Sequence, residues 1–197
     1  MKTVSRVYDT YAQARSAVTA IEEAGVPSSE VSLVANKYVS EQYADVKEVS
    51  PTATGVGVGG ALGGGAGLLA GLGLLAIPGL GPVVAAGWLA SLAVGAAAGA
   101  TAGGLVGALV GAGTSNEHAN VYSESVRRGG TLVSARVDDK DATRVQAILD
   151  NYKPIDPVER GAAYRKEGWT TFDAKAPPYR PSQAEIERIR RDHDLAA

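Results

Sequence analysis

Apolar and polar positions change period several times along this chain. Residues 3–8, Thr-Val-Ser-Arg-Val-Tyr, are β-branched and aromatic enough to predict a short strand. Tyr11, Ala14, Val18 and Ile21 then recur at three- and four-residue steps, the apolar face of a helix, with Glu22 and Glu23 opposite. Asp9 or Thr10 can cap that helix, Gly25 is placed to stop it, and Pro27 follows. Val31-Ser-Leu-Val34 predicts a second strand, which completes a β-α-β unit.

A second unit follows after a long interval. A helix over about Glu117–Arg128 ends at Gly129-Gly130 and leads into Thr131–Val137, which alternates like a half-buried strand. Asp138 to Asp141 offer caps for a helix that buries Ala142, Val145, Ile148 and Leu149, with Tyr152 at its end. Pro154 closes it, and Ile155 to Val158 reads as a last edge strand. Two β-α-β halves in series predict an α+β fold of the split, ferredoxin-like type, formed by 1–48 and 117–158.

Between the halves, 49–116 is a different material. No Asp, Glu, Lys, Arg or His occurs between Glu48 and Glu117, and 20 of the chain's 25 glycines lie there. Gly55, Gly59, Gly63, Gly67 and Gly71 form one row at a step of four. Gly95, Gly99, Gly103, Gly107 and Gly111 form another, which Gly87 and Ser91 extend backwards. On a helix each row is a groove without side chains, which a second helix can approach closely. Pro78, Gly79, Gly81 and Pro82 interrupt the rows and turn the chain. The expectation is a glycine-zipper helical hairpin, Gly55–Ile77 and Val83–Ala112.

Glycine costs a helix about 1 kcal/mol per position relative to alanine, so such a hairpin needs outside support. A bilayer can supply it, and so can packing on other copies or burial within the chain. Twenty-three helical residues reach roughly 35 Å, against a hydrocarbon core of about 30 Å. Lys37, Lys47, Arg127 and Arg128 flank the insert while its turn has no basic residue, which would place both soluble halves in the cytoplasm. Trp88 would sit near the far interface. The start, Met-Lys-Thr-Val-Ser-Arg, lacks the apolar region of a secretory signal.

Composition removes several function classes. A net charge of −2 argues against a nucleic-acid binder, and the lack of cysteine excludes disulfides and thiol chemistry. Gly55-Val-Gly-Val-Gly-Gly60 matches a dinucleotide-binding pattern by chance, because no acid follows before Glu117. His118 and His193 lack metal-ligand spacing, and Asp138, Asp139 and Asp141 lack the glycine and late glutamate of a calcium loop. No enzyme, cofactor or metal site is expected, and no small-molecule ligand is specified.

Residues 159–197 form a Pro- and aromatic-bearing tail. Trp169, Phe172 and Tyr179 are candidate anchors, onto this domain or onto a partner. Ser182-Gln-Ala-Glu185 is a capping box for a short charged helix over 183–194. The tail's eight basic and seven acidic residues do not make a polybasic segment. Removing 159–197 is expected to leave both halves folded.

The runs KTVSRVYDTYAQARSAVTAIEEAG, AIPGLGPVVAAG and VRRGGTLVSARV together resemble the bacterial general stress proteins, including heat-induced ones of bacilli, over roughly residues 2–158. The resemblance implies a stress-induced, non-secreted bacterial protein of undefined biochemistry, often described as membrane-associated. With the glycine rows, the expectation is a non-enzymatic protein that associates with the inner membrane or with copies of itself, its soluble halves cytoplasmic. It supplies no catalytic residues. The alternative is a cytoplasmic homo-oligomeric binding module, its hairpin buried between subunits.

Overall fold

The computed structural model describes residues 1–36, 73–77, 80–89 and 104–176. They form an α+β fold around one antiparallel sheet. Its elements run β1 (Lys2–Tyr8), α1 (Tyr11–Glu23), β2 (Val31–Asn36), β3 (Gly73–Ile77), β4 (Gly81–Ala86), α2 (Gly104–Gly111), α3 (Asn116–Arg127), β5 (Thr131–Val137), α4 (Ala142–Asp150) and α5 (Pro157–Lys166). The strand order is β1-β5-β2-β4-β3. β5 lies between the two early strands, opposing Val4 with Ala135 on one side and Leu33 with Val133 on the other.

Local sequence accounts for most boundaries. The Thr10 side chain accepts from the Gln13 amide, and the Gln13 side chain answers to the Thr10 amide, a reciprocal cap on α1. At its end Gly25 takes a φ of 93°, its amide bonds to Glu22, and the Val26 amide reaches back to Ile21. The same closure recurs at Gly113, Gly129 and Gly168, so glycines outside the rows mark the ends of α2, α3 and α5.

Helices cover both faces of the sheet. α1 and α4 pack over Val4, Tyr8, Leu33 and Val133. α3 covers Val7, Val34 and Leu132, joined by Leu105 and Leu109 of α2. Burial therefore runs almost unbroken along β5, in place of the expected half-buried alternation, because neither face is left to water. Glu22 differs too. It is half-buried, and its carboxylate has no hydrogen-bond partner among the described residues.

The largest departure lies in the insert. Gly73–Ile77 and Gly81–Ala86 are strands, not the facing ends of two helices. β4 pairs with β2 from Leu33↔Ala86 to Asn36↔Val83, and β3 adds outside it. A short apolar run bounded by turn residues suits a buried strand as well as a helix, and the edge of β2 offered ladder hydrogen bonds that decided the matter. Pro82 precedes the first β2–β4 pair, so its missing N–H falls outside that ladder. Pro78 and Gly79 lie outside the described residues between the strands, while Gly81 and Pro82 are the first residues of β4. Gly81 and Pro82 thus belong to the sheet and not to a turn between two helices. Among the described residues no helix is long and apolar enough to cross a membrane.

The expected edge strand at Ile155–Val158 does not form. Only the Ile155 amide bonds to β1, to the Val7 carbonyl at 2.8 Å. Asp156 then accepts from the Val158 and Glu159 amides and, with Pro157 at the first helical position, starts α5. The boundary drawn at 158/159 therefore falls inside a helix.

Candidate functional site

The sequence feature that sets this chain apart is its uncharged insert, and the candidate site is where that insert joins the sheet. The junction has three attachments: the end of β2, the β3–β4 hairpin, and α2. At the first, Asn36 is fully buried and its side-chain amide donates to the Arg127 carbonyl at 2.8 Å. At the second, the chain leaving β4 turns sharply at Gly87, where φ is 86°. The Leu89 amide then bonds to the buried Ser32 hydroxyl at 2.9 Å. Trp88 donates to the Glu30 carbonyl, and the Arg136 guanidinium, bonded to the Glu30 carboxylate, sits 4.6 Å from the centre of its ring. Trp88 is thus fastened to the domain, not placed at a far interface, and Gly87 is a turn residue, not part of a helical row. At the third, Leu105, Ala108 and Leu109 carry α2 onto the α3 face of the sheet.

Beneath the junction lies an ionic knot. Glu124 of α3 is 1% exposed. It accepts from Arg127 at 2.8 and 2.7 Å and from Arg128 at 2.7 Å. Arg128 also pairs with Glu167 and lies over the Tyr164 ring, 4.2 Å from its centre. Burial acts to lower the Arg128 pKa, but the hydrogen bonds to Glu124 and Glu167 outweigh it and raise it. These are the arginines of the VRRGGTLVSARV run. Its second glycine is also constrained: a Cβ on Gly130 would lie 3.1 Å from the Tyr8 carbonyl.

The first part of the tail lies along α3 as a strap. Arg160 pairs with Asp9, Arg165 with Glu117, and the Tyr164 hydroxyl bonds to Ser125. Trp169 packs edge-on against Tyr164, and the Asn120 side chain accepts from Thr171 and the Phe172 amide. Phe172 reaches the apolar cluster on the α3 side of the sheet. Both anchors that can be placed dock on this chain's own domain, and Tyr179 lies outside the described residues. The strap adds contacts to the core, so deleting 159–197 should lower stability, a different outcome from the one the sequence alone predicts. Phe172→Ala should lower stability by about 3 kcal/mol, as for other buried aromatics. A urea midpoint unchanged from wild type would show that the strap contributes no core contact.

Of the two glycine rows, Gly55, Gly59, Gly63, Gly67, Gly71, Gly95, Gly99 and Gly103 lie outside the described residues, as do Ser91 and the helix expected over 183–194. Gly107 and Gly111 are in α2, and a Cβ added at Gly111 would meet nothing within 4 Å. No neighbour within the described chain requires glycine at that position. Among the described residues no three His, Cys, Asp or Glu side chains converge as a metal site. His118 lies on α3, its ring tilted against Tyr122, and His193 lies outside the described residues. Sequence reasoning did not identify Asn36 or Glu124, and it placed Gly87 in a helical row instead of a turn. Isolated polar residues carry no periodic signal, and only the fold shows what they touch. No family model, curated protein or solved structure matches this chain.

Proposed function

We propose that this is a non-enzymatic protein of the general stress type that associates with copies of itself through its glycine-rich insert. The observation that carries the reading is the anchoring of the insert. Its middle is built into the sheet as β3 and β4, and its end returns as α2. The chain between Asn36 and β3, uncharged from residue 49 onward, and the uncharged stretch 90–103 therefore each run between described elements of one domain. Tethering suits an association element: the ends are already positioned, so less freedom is lost when a second copy binds. The carrier is best described as a split β-α-β, ferredoxin-like core. Support comes from the β1-β5-β2 order, with the first and fourth helices on one face; the place of its fourth strand is marked by the Ile155 bond alone.

The register of the rows provides the test. A leucine in a close helix–helix groove forces the backbones apart, at a cost of about 1–3 kcal/mol. Gly63→Leu and Gly103→Leu should each shift the full-length protein toward monomer in size-exclusion chromatography. Ala66→Leu and Ala98→Leu, off the rows, should not. Equal elution of all four variants would remove the zipper from the mechanism. Sedimentation without detergent and a carbonate wash form the second arm. Protein retained in washed membranes would assign the insert to lipid and not to a second copy.

A further inference from the structure

The strap over 157–176 is fastened largely by charge. α5 packs on α3, which itself packs on the sheet. Of the ten residues of α5 only Gly161 and Tyr164 are buried, and beyond α5 only Phe172 is. Three ion pairs join the strap to three different places. Arg160 reaches Asp9 in the turn after β1, Arg165 reaches Glu117 in the first turn of α3, and Glu167 reaches Arg128 just past the end of α3. In each pair the carboxylate keeps most of its surface in water, where salt screens it. The docked strap also carries a flaw. The Trp169 indole N–H is closed off from water with no hydrogen-bond partner among the described residues. Water satisfies such a donor once it is released, which favours an open form.

We propose that residues 157–176 open from α3 as one unit, and that ionic strength sets the open fraction. The parts of the strap are interlocked. The Glu167 and Trp169 amides both bond to the Tyr164 carbonyl, and the Thr171 hydroxyl and Phe172 amide both bond to the Asn120 side chain. A helix as short as α5 does not hold in water once it leaves its support, so its hydrogen bonds are lost with the contact. The screening length falls from about 10 Å at 0.1 M salt to about 3 Å at 1 M. Each exposed pair shifts an equilibrium by a factor of about two, and three together give about tenfold. Opening uncovers Val121, which lies so close to α5 that a Cβ on Gly161 would be 3.0 Å from its methyl, and the seat of Phe172 in the apolar cluster. The fold thus carries a cover over α3 that tightens at low salt and loosens at high salt, independently of the glycine-rich insert.

Native-state hydrogen exchange of the full-length protein, at about 0.1 M and about 1 M sodium chloride, is the test. The amides of Arg160, Glu167, Trp169 and Phe172 should share one opening constant, larger than that of Leu132 and Val133 in β5. Salt should raise the shared constant about tenfold and change that of β5 less than about twofold. The variant Arg160→Gln/Arg165→Gln/Glu167→Gln should begin at the raised value in low salt and respond to salt by less than about twofold, which separates screening of these pairs from a general effect of salt on exchange. If that variant does not fold, Glu117→Gln, at an exposed position, removes one pair from the partner side and should cut the salt response about twofold. A strap constant equal to that of β5, unlike constants among the four amides, no response to salt, or an undiminished response in the variant overturns the proposal.

Discussion

Gly87→Ala is expected to be the most damaging single-methyl change in the described chain. A Cβ at this position would lie 2.2 Å from the Val31 carbonyl oxygen, 2.6 Å from the Ser32 hydroxyl and 2.8 Å from the Ser32 Cα. Two of those three atoms are backbone, in the strand that β4 pairs with, and cannot rotate away. The φ of 86° adds strain that only glycine avoids. Overpacking at about 1–3 kcal/mol and a left-handed residue at about 1–2 kcal/mol together predict a loss of roughly 2–5 kcal/mol. That is a large fraction of a typical domain's stability of about 5–15 kcal/mol. The comparison is Gly111→Ala, in α2, where the new methyl meets nothing within 4 Å. It should be neutral or stabilising by up to about 1 kcal/mol. Urea midpoints decide the matter: equal midpoints for the two variants would mean that the Gly87 turn is not closed as described.

Glu124→Ala is expected to cost about 3 kcal/mol. The carboxylate is almost wholly buried and accepts three guanidinium hydrogen bonds. Removing it leaves two partly buried arginines facing each other without their shared anion, and breaking such a network costs about 3–5 kcal/mol. The lower end applies because Arg127 and Arg128 keep 20% and 27% of their side-chain surface in water. Glu124→Gln keeps the shape and an acceptor but not the charge, and should lose about half as much. If alanine and glutamine gave the same midpoint as wild type, the knot would contribute nothing net. If they gave equal losses, packing and not charge would be its role.

The two changes probe features of opposite legibility. The VRRGGTLVSARV run stood out in the sequence, yet its partners did not. Glu124 lies one helical turn before Arg127 and Arg128, but Glu167 is 39 residues beyond Arg128 and Asn36 is 91 residues before Arg127. Gly87 was counted with the glycines of a helical row because its spacing fits one. Spacing cannot distinguish a glycine that admits a neighbouring helix from one that makes a turn against another strand.

Where a signal is local, the sequence by itself was sufficient. The Thr10 cap, the Gly25 stop, the Thr131–Val137 strand and the apolar face of α4 depend on residues within a few positions of one another, and all appear where the pattern places them. The absence of charge between Glu48 and Glu117 is likewise a property of the chain alone. Tertiary structure decided the rest. Gly73–Ala86 became a strand pair because β2 had an open edge to pair with, and no local property of an apolar run reveals that edge. Ile155–Val158 gave way to a helix because Asp156 and Pro157 favour a helix start, and one hydrogen bond to β1 is too little to hold a strand. The first part of the tail, to Ala176, became part of the fold because Tyr164 and Phe172 found partners on the α3 side of the sheet. That surface exists only after β1, β5 and α3 have assembled, so burial there is a property of the assembled layers and not of the tail's own sequence.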